Sequence, residues 1–392
     1  MDISVLRRAA AFAAGCLALS ASAARADDGV KIGLIVTLSG PSAVLGGQVR
    51  DGFQLAVKTL GGKLGGLLAE VIVADDELKP DAAVTKVKGL LQRDNVNFVV
   101  GPIFSNVLQA IEKPVTESGV FLISPNAGSS NFAGKSCNPN FFVTSYQNDQ
   151  VHEVLGKYAQ TKGYKTAFVL EPNYQAGKDS LAGFKHDFKG EILEEAFTPL
   201  GQLDFSAELA KVATLKPEVF FTFMPGGMGI NLVKQWKQAG LSEIPFLSAF
   251  TTDESTLPAE KDDAVGDLAG ANWAPNMDNP QSKAFVAAYE AAYGFVPGTY
   301  AMQAYDAALL IDSAIKGAGG KLADHDALAA ALKKADFVSL RGSFKFNNNN
   351  YPIQDFYLVK VAKRPDGKYQ TEIVEKVFSD FGDDYAKDCQ MK

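Results

Sequence analysis

Short apolar runs alternate with amphipathic segments twice along this 392-residue chain, and that alternation restricts the fold more than any other feature. In the first half, Lys31–Thr37, Glu70–Ala74, Asn97–Val100 and Val120–Ile123 have the length and composition of buried strands. Between them, Asp51–Leu60, Ala82–Leu91 and Asn106–Ser118 repeat apolar residues at helical spacing, with a bend expected at Pro114. The rhythm restarts after Tyr146. Strands are expected at Thr166–Leu170, Glu191–Phe197, Val219–Phe223 and Pro245–Ser248. Helices are expected across Val151–Ala159, Ala176–Asp187, Phe205–Thr214 and Gly229–Ala239. Such alternation implies an α/β protein of two doubly wound parallel-sheet lobes.

From Asn279 the pattern changes. Pro280–Tyr293, Tyr300–Gly317 and Asp326–Ala335 read as helices with no strand between them, and are expected to return to the first lobe. Strands Asp355–Val361 and Tyr369–Val377, after the Asn347–Asn350 run, should rejoin the second. The expected division is 27–146 with 274–347 as lobe 1, and 147–273 with 348–392 as lobe 2. About three crossings would then act as a hinge.

A hydrophobic content of 47% with 21% charged residues excludes a disordered chain. Arg7 and Arg8, the apolar run Ala9–Leu19 and Ala24-Arg25-Ala26 read as a secretory signal, residues 1–26, cleaved after Ala26. Ala14-Gly15-Cys16 is a weaker lipoprotein-like alternative, because Ala13 stands where a larger aliphatic is usual. Cleavage removes three arginines and one aspartate, taking the net charge from −7 to −9. No later segment is long and apolar enough to span a membrane, and no basic patch suits nucleic acid. Cys137 and Cys389 are then the mature cysteines. An oxidising compartment favours one disulfide between them, with two free thiols as the alternative.

Catalytic patterns are missing from the sequence. His152, His186 and His325 each sit in or beside a polar helical segment, where a solvated surface role is expected, and their spacing fits no metal-ligand pattern. Gly128–Ser136 has five residues between its glycines where a phosphate loop needs four. Gly226-Gly227-Met228-Gly229 lacks a final glycine at dinucleotide spacing, and no Gly-x-Ser-x-Gly elbow occurs. No cofactor or metal is expected.

What remains is a set of loops at strand ends: Ser39–Gly46, Ile103–Asn106, Asn126–Ser130, Pro172–Gly177, Thr222–Gly227 and Ala249–Asp253. In a parallel sheet these meet at the ligand crevice. Rich in hydroxyls, glycines and aromatics, they suit binding rather than catalysis. The loop after Val120–Ile123, stopped by Ser124-Pro125, offers free backbone amides to an anion.

Val36-Thr37-Leu38-Ser39-Gly40-Pro41, Gly101-Pro102 with Ser105, Ile123-Ser124-Pro125, and Tyr174 with Gly177 together resemble periplasmic solute-binding proteins of the branched-chain amino acid (Leu/Ile/Val) type, which serve ATP-driven importers. The resemblance spans essentially the whole mature chain. It implies a type I binding-protein fold, a hinge closing over one ligand like a flytrap, and a membrane permease as partner. It further implies that Ser105 holds a ligand carboxylate, that Ala127 and Gly128 lie in the ligand-holding loop, and that Tyr174 closes from the second lobe. Leu45 would line the side-chain pocket, where the family often has an aromatic. Asn126 and Ser129 belong to the same loop, Ser129 as an extra hydroxyl donor.

One departure is informative. Amino acid binders of this type place an acidic residue after the strand matching Pro245–Ser248, to pair with the ligand ammonium; here Phe250 stands there. A buried ammonium without a carboxylate partner is expensive. Asp253 could serve instead if the loop is shifted. Phe104, Phe223, Phe250 and Tyr174 could form an aromatic box. The ligand expected is a small carboxylate, first an aromatic acid of the benzoate, hydroxybenzoate or hydroxycinnamate kind, with a branched-chain or aromatic amino acid as the alternative. A monomer in the periplasm is expected; a sensor for a membrane receptor and an enzyme on the same scaffold are the other readings.

Overall fold

The computed structural model describes residues 29–391, so the expected signal segment and its cleavage site lie outside the described residues. Strand β1 (Gly29–Val36) is fully buried from Ile32 to Val36, as its apolar run there requires, with Lys31 half-buried near its start. It leads into α1 (Ala43–Thr59), a two-residue β2 (Lys63–Leu64), β3 (Leu67–Asp75), α2 (Pro80–Gln92), β4 (Phe98–Val100), α3 (Ser105–Thr116), β5 (Phe121–Ser124) and β6 (Phe141–Val143). The first sheet runs β2-β3-β1-β4-β5-β6, parallel except for the β2–β3 hairpin.

The chain then enters α4 (Gln150–Lys162), β7 (Thr166–Pro172), α5 (Gln175–Asp187), β8 (Glu191–Thr198), α6 (Ser206–Leu215), β9 (Val219–Thr222), α7 (Gly227–Gln238), β10 (Phe246–Ser248), α8 (Leu257–Glu260) and β11 (Leu268–Ala271). Helices α9 (Pro280–Tyr293), α10 (Thr299–Gly317) and α11 (His325–Lys334) follow without an intervening strand. Of these, α10 lies so close along α1 that a Cβ on Gly52 would sit 2.1 Å from the Ala301 carbonyl oxygen. Short β12 (Lys345–Phe346) precedes the long hairpin β13 (Pro352–Lys363) and β14 (Tyr369–Phe381). The second sheet runs β12-β13-β11-β10-β9-β7-β8, with β14 on β13; β13 pairs antiparallel with both β11 and β14.

Two expectations need correction. The loop anticipated over Ser39–Gly46 is already helical from Ala43. Its glycines looked like loop residues, but Gly46 serves packing, since a Cβ there would fall 1.8 Å from the Thr37 carbonyl oxygen. Strands β6 and β11 were not anticipated, being runs of three and four residues too short to show a period.

The chain passes between the sheets after β6, after β11 and after α11, and a buried polar network joins those passages. Arg341 pairs with Asp306 at 3.1 Å, both side chains essentially without exposure. The same guanidinium donates to the Thr144 and Ser145 carbonyls and to Gln354 Oε1, at 2.7, 3.0 and 2.7 Å. Asn272 Nδ2 and Gln354 Nε2 also donate to the Ser145 carbonyl. A disulfide joins Cys137 to Cys389 across 252 residues and ties the C-terminal turn to the segment after β5.

Candidate functional site

Loops at the carboxyl ends of β4, β5, β7, β9 and β10 converge, as a parallel sheet dictates, and enclose a cavity of about 20 Å³. Its wall from the first lobe is Ile103, Ser105, Asn126 and Ala127; Tyr146, Asn148 and His152 come from the passage into α4; Tyr174, Ala176, Phe223 and Phe250 come from the second lobe. Six residues singled out in the sequence are thus brought together: Ser105, Asn126, Ala127, Tyr174, Phe223 and Phe250. Phe104 supports the wall indirectly, its ring 6.2 Å from that of Tyr174. Gly128, Ser129 and Leu45 are buried nearby but do not line this cavity.

The loop after β5 is held by its own side chains and by the chain leaving β6. Ser124 Oγ donates to the Ala127 carbonyl at 2.8 Å, and Asn126 Nδ2 donates to the Ile103 carbonyl at 2.7 Å. Tyr146 Oη donates to Asn126 Oδ1 at 3.0 Å. Gly128 packs so tightly that a Cβ would sit 1.8 Å from the Tyr146 carbonyl oxygen, which requires glycine there. Its amide is not free for a ligand, because it donates to Asn148 Oδ1 at 3.0 Å.

Asn148 Nδ2 in turn donates to Ser105 Oγ at 3.2 Å and to Asp179 Oδ2 at 2.8 Å. Ser105 is the first residue of α3, where the helix dipole favours an anion. Across the cleft, Asp179 on α5 accepts from Ser130 Oγ at 2.6 Å and from the Ser130 amide at 3.2 Å. The Gly227 amide donates to the Pro41 carbonyl at 3.0 Å. These bonds fasten the lobes in the closed arrangement.

Opposite Ser105 the wall is aromatic. Phe250 stacks on Tyr146 and meets Phe223 and Tyr300 edge-on, at centroid distances of 5.2, 6.4 and 5.6 Å. Tyr174 stacks on Phe223 at 6.3 Å. Burial pushes the phenols of Tyr146 and Tyr174 well up, so both remain neutral donors. Phe250 holds φ at +56°, a conformation a bulky residue adopts only when its surroundings enforce it. Asp253 does not line the cavity. Its Oδ1 accepts from the Ser255 amide at 2.7 Å and from the Ser255 hydroxyl. Burial, followed by the charge of Glu254, raises its carboxyl to about 7.

The histidines require a correction. His152 is 2% exposed and lines the cavity, although its sequence context suggested solvent. Its whole helical turn is covered, Gln150 and Glu153 included. Burial lowers its imidazole to about 3, leaving it neutral. His325 stacks on Phe121 at 4.4 Å. His186 brings a ring nitrogen within 4.8 Å of carboxylate oxygens of Glu153 and Asp187, a proximity that linear spacing did not reveal.

Two parallel α/β lobes closed on a shared cavity define a two-lobed ligand-binding protein. A family model described as "Periplasmic binding protein" matches residues 29–368, and the chain belongs to that family. It is 29% identical over 382 residues to a Leu/Ile/Val-binding protein homolog of Brucella melitensis, covering 94% of this chain and 97% of the relative. Among solved structures, an ABC transporter solute-binding protein of R. palustris in complex with benzoate superposes with a TM-score of 0.87 at 32% identity, covering 92% of this chain and 99% of that one. A solute-binding protein of Rhodopseudomonas palustris BisB5 in complex with 3,4-dihydroxybenzoic acid gives 0.86 at 32%, covering 91% and 99%. The fold is that of type I periplasmic binding proteins, and the chain is an ABC transporter solute-binding protein. Its relatives and structural neighbours are transport proteins rather than enzymes, and among the described residues no helix is long and apolar enough to cross a membrane.

Proposed function

We propose that this protein captures a small aromatic carboxylic acid of the benzoate, hydroxybenzoate or hydroxycinnamate kind and presents it to the permease of an ABC importer. The observation that carries this reading is the composition of the wall facing Ser105. It holds Tyr146, Tyr174, Phe223 and Phe250, and no acidic side chain lines the cavity. An aromatic acid would place its carboxylate at Ser105 and the Asn126–Ala127 part of the loop, with its ring among those side chains. An α-amino acid would leave its ammonium without a carboxylate partner, which desolvation penalises heavily. The complexes of the two Rhodopseudomonas neighbours support the same class.

With only about 20 Å³ enclosed, the closed cleft admits a ligand by parting of the lobes, and closure follows from the ligand's higher affinity for the closed state. The named specificity of the Brucella relative favours a branched-chain amino acid as the second reading. A thermal-shift and calorimetry panel of benzoate, 4-hydroxybenzoate, leucine and phenylalanine separates the two, since a ligand raises apparent stability by mass action. Stabilisation by the benzoates alone is expected. Stabilisation by leucine alone would assign the protein to amino acids.

A further inference from the structure

We propose that His152 is a ligand-binding residue of the cleft, its imidazole N–H donating to the same carboxylate that Ser105 receives. This rests only on the carboxylate part of the functional reading, and holds for an aromatic acid and an amino acid alike.

Position comes first. His152 lies in the first turn of α4, four residues after Asn148, which precedes the helix and whose side chain touches Ser105 Oγ at 3.2 Å. Asn148, His152 and Ser105 line one small cavity together. The imidazole is 2% exposed and is walled by the rings of Phe221 and Phe223, with centroids at 5.8 and 5.4 Å in edge-on geometry. Its Nδ1 has no hydrogen-bond partner. An apolar side chain would fill that space without leaving a buried nitrogen orphaned, so the polar ring needs a partner that the protein does not supply.

The donor inventory leads to the same residue. A carboxylate taken out of water requires several charge-assisted donors, and no lysine or arginine lines the cavity. Most of the neutral donors there are already engaged. Asn126 Nδ2 serves the Ile103 carbonyl, Asn148 Nδ2 serves Ser105 and Asp179, Tyr146 Oη serves Asn126, and the Gly128 amide serves Asn148. Ser105 Oγ–H and the imidazole remain, together with the Tyr174 phenol. A neutral imidazole carries one N–H and one acceptor. With Nδ1 unpaired, no protein contact there fixes the tautomer, and the ligand selects which nitrogen bears the proton.

The experiment uses the mature chain, with benzoate and leucine as probes, and compares wild type, His152→Phe and His152→Gln by calorimetry. It adds ring ¹⁵N spectra of histidine-labelled protein, in which His152 is one of three histidines. Expected are at least about tenfold weaker binding in His152→Phe, substantial recovery in His152→Gln, which keeps an N–H donor, and a ligand-induced ¹⁵N shift assigned by its loss in the variants. An unchanged Kd in His152→Phe overturns the inference. So does equal weakening in both variants without a ¹⁵N shift, which marks a packing role. If wild type binds leucine and not benzoate, the aromatic reading fails while His152 is judged on leucine. If it binds neither, both fail.

Discussion

The ring of Phe250 stacks on that of Tyr146 with centroids 5.2 Å apart and planes 17° from parallel, while the Phe250 backbone sits at φ +56°. A strained residue therefore carries the aromatic wall of the cleft. Phe250→Gly relaxes the backbone and deletes the ring. Relief of about 1 kcal/mol of backbone strain offsets only part of the roughly 3–5 kcal/mol lost with the packed ring, so the melting temperature should fall by a few degrees. Benzoate should bind about 1.5–3 kcal/mol more weakly, the loss expected for one buried aromatic side chain. Calorimetry showing unchanged benzoate affinity would remove Phe250 from the site.

Ser105→Ala tests the other end of the ligand. The hydroxyl accepts from Asn148, which keeps its 2.8 Å bond to Asp179 in the variant, so folding should be nearly undisturbed. Loss of a hydrogen bond to a charged carboxylate should weaken binding by about 1–3 kcal/mol. A Kd equal to that of wild type would place the carboxylate elsewhere.

Much of this arrangement was legible in the chain. Alternating runs gave the helices and longer strands, because a strand buried on both faces must be apolar throughout. Phe250 stood out because an acidic residue was expected at its position. Asn148 and His152 were not legible, since each lies among Gln147, Asp149, Gln150 and Glu153, which read as a solvated helix start. Their burial arises only when the chain leaving β6 folds back over the loop after β5, a contact between segments some 20 residues apart that no local period records. The engagement of the Gly128 amide by Asn148 was hidden for the same reason.

Arg341 and Asp306 form an ion pair with almost no exposure, at the point where the chain passes between the sheets. Removing one partner strands the other charge. Arg341→Ala should destabilise the protein by about 3–5 kcal/mol in chemical denaturation, and it also frees the Thr144 and Ser145 carbonyls. A change under 1 kcal/mol would show that the network tolerates solvent.

Glu153 provides a pH test. Burial, reinforced by the charges of Asp149, Asp384, Asp187 and Asp383, raises its carboxyl from 4.5 to about 8. The sign follows from proton linkage. Above pH 4.5 the unfolded chain releases this proton while the folded chain keeps it, so unfolding is increasingly favoured up to about pH 8 and the penalty is constant beyond. Glu153→Gln removes the titration while preserving shape. Near pH 4.5 the variant and wild type should melt together, whereas at pH 8 the variant should melt higher, by roughly 1–2 °C for each 1 kcal/mol of penalty relieved in a chain of this size. Asp149, raised to about 7 chiefly by burial and then by the Asp179 charge, accepts from Gln147 Nε2 and Tyr385 Oη, so Asp149→Asn exchanges the same relief for a weakened acceptor. Scanning calorimetry of wild type and Glu153→Gln across this pH range decides the matter. Equal melting temperatures at pH 8 would mean that Glu153 is ionised in the folded protein without penalty, and that its acidic neighbours are screened.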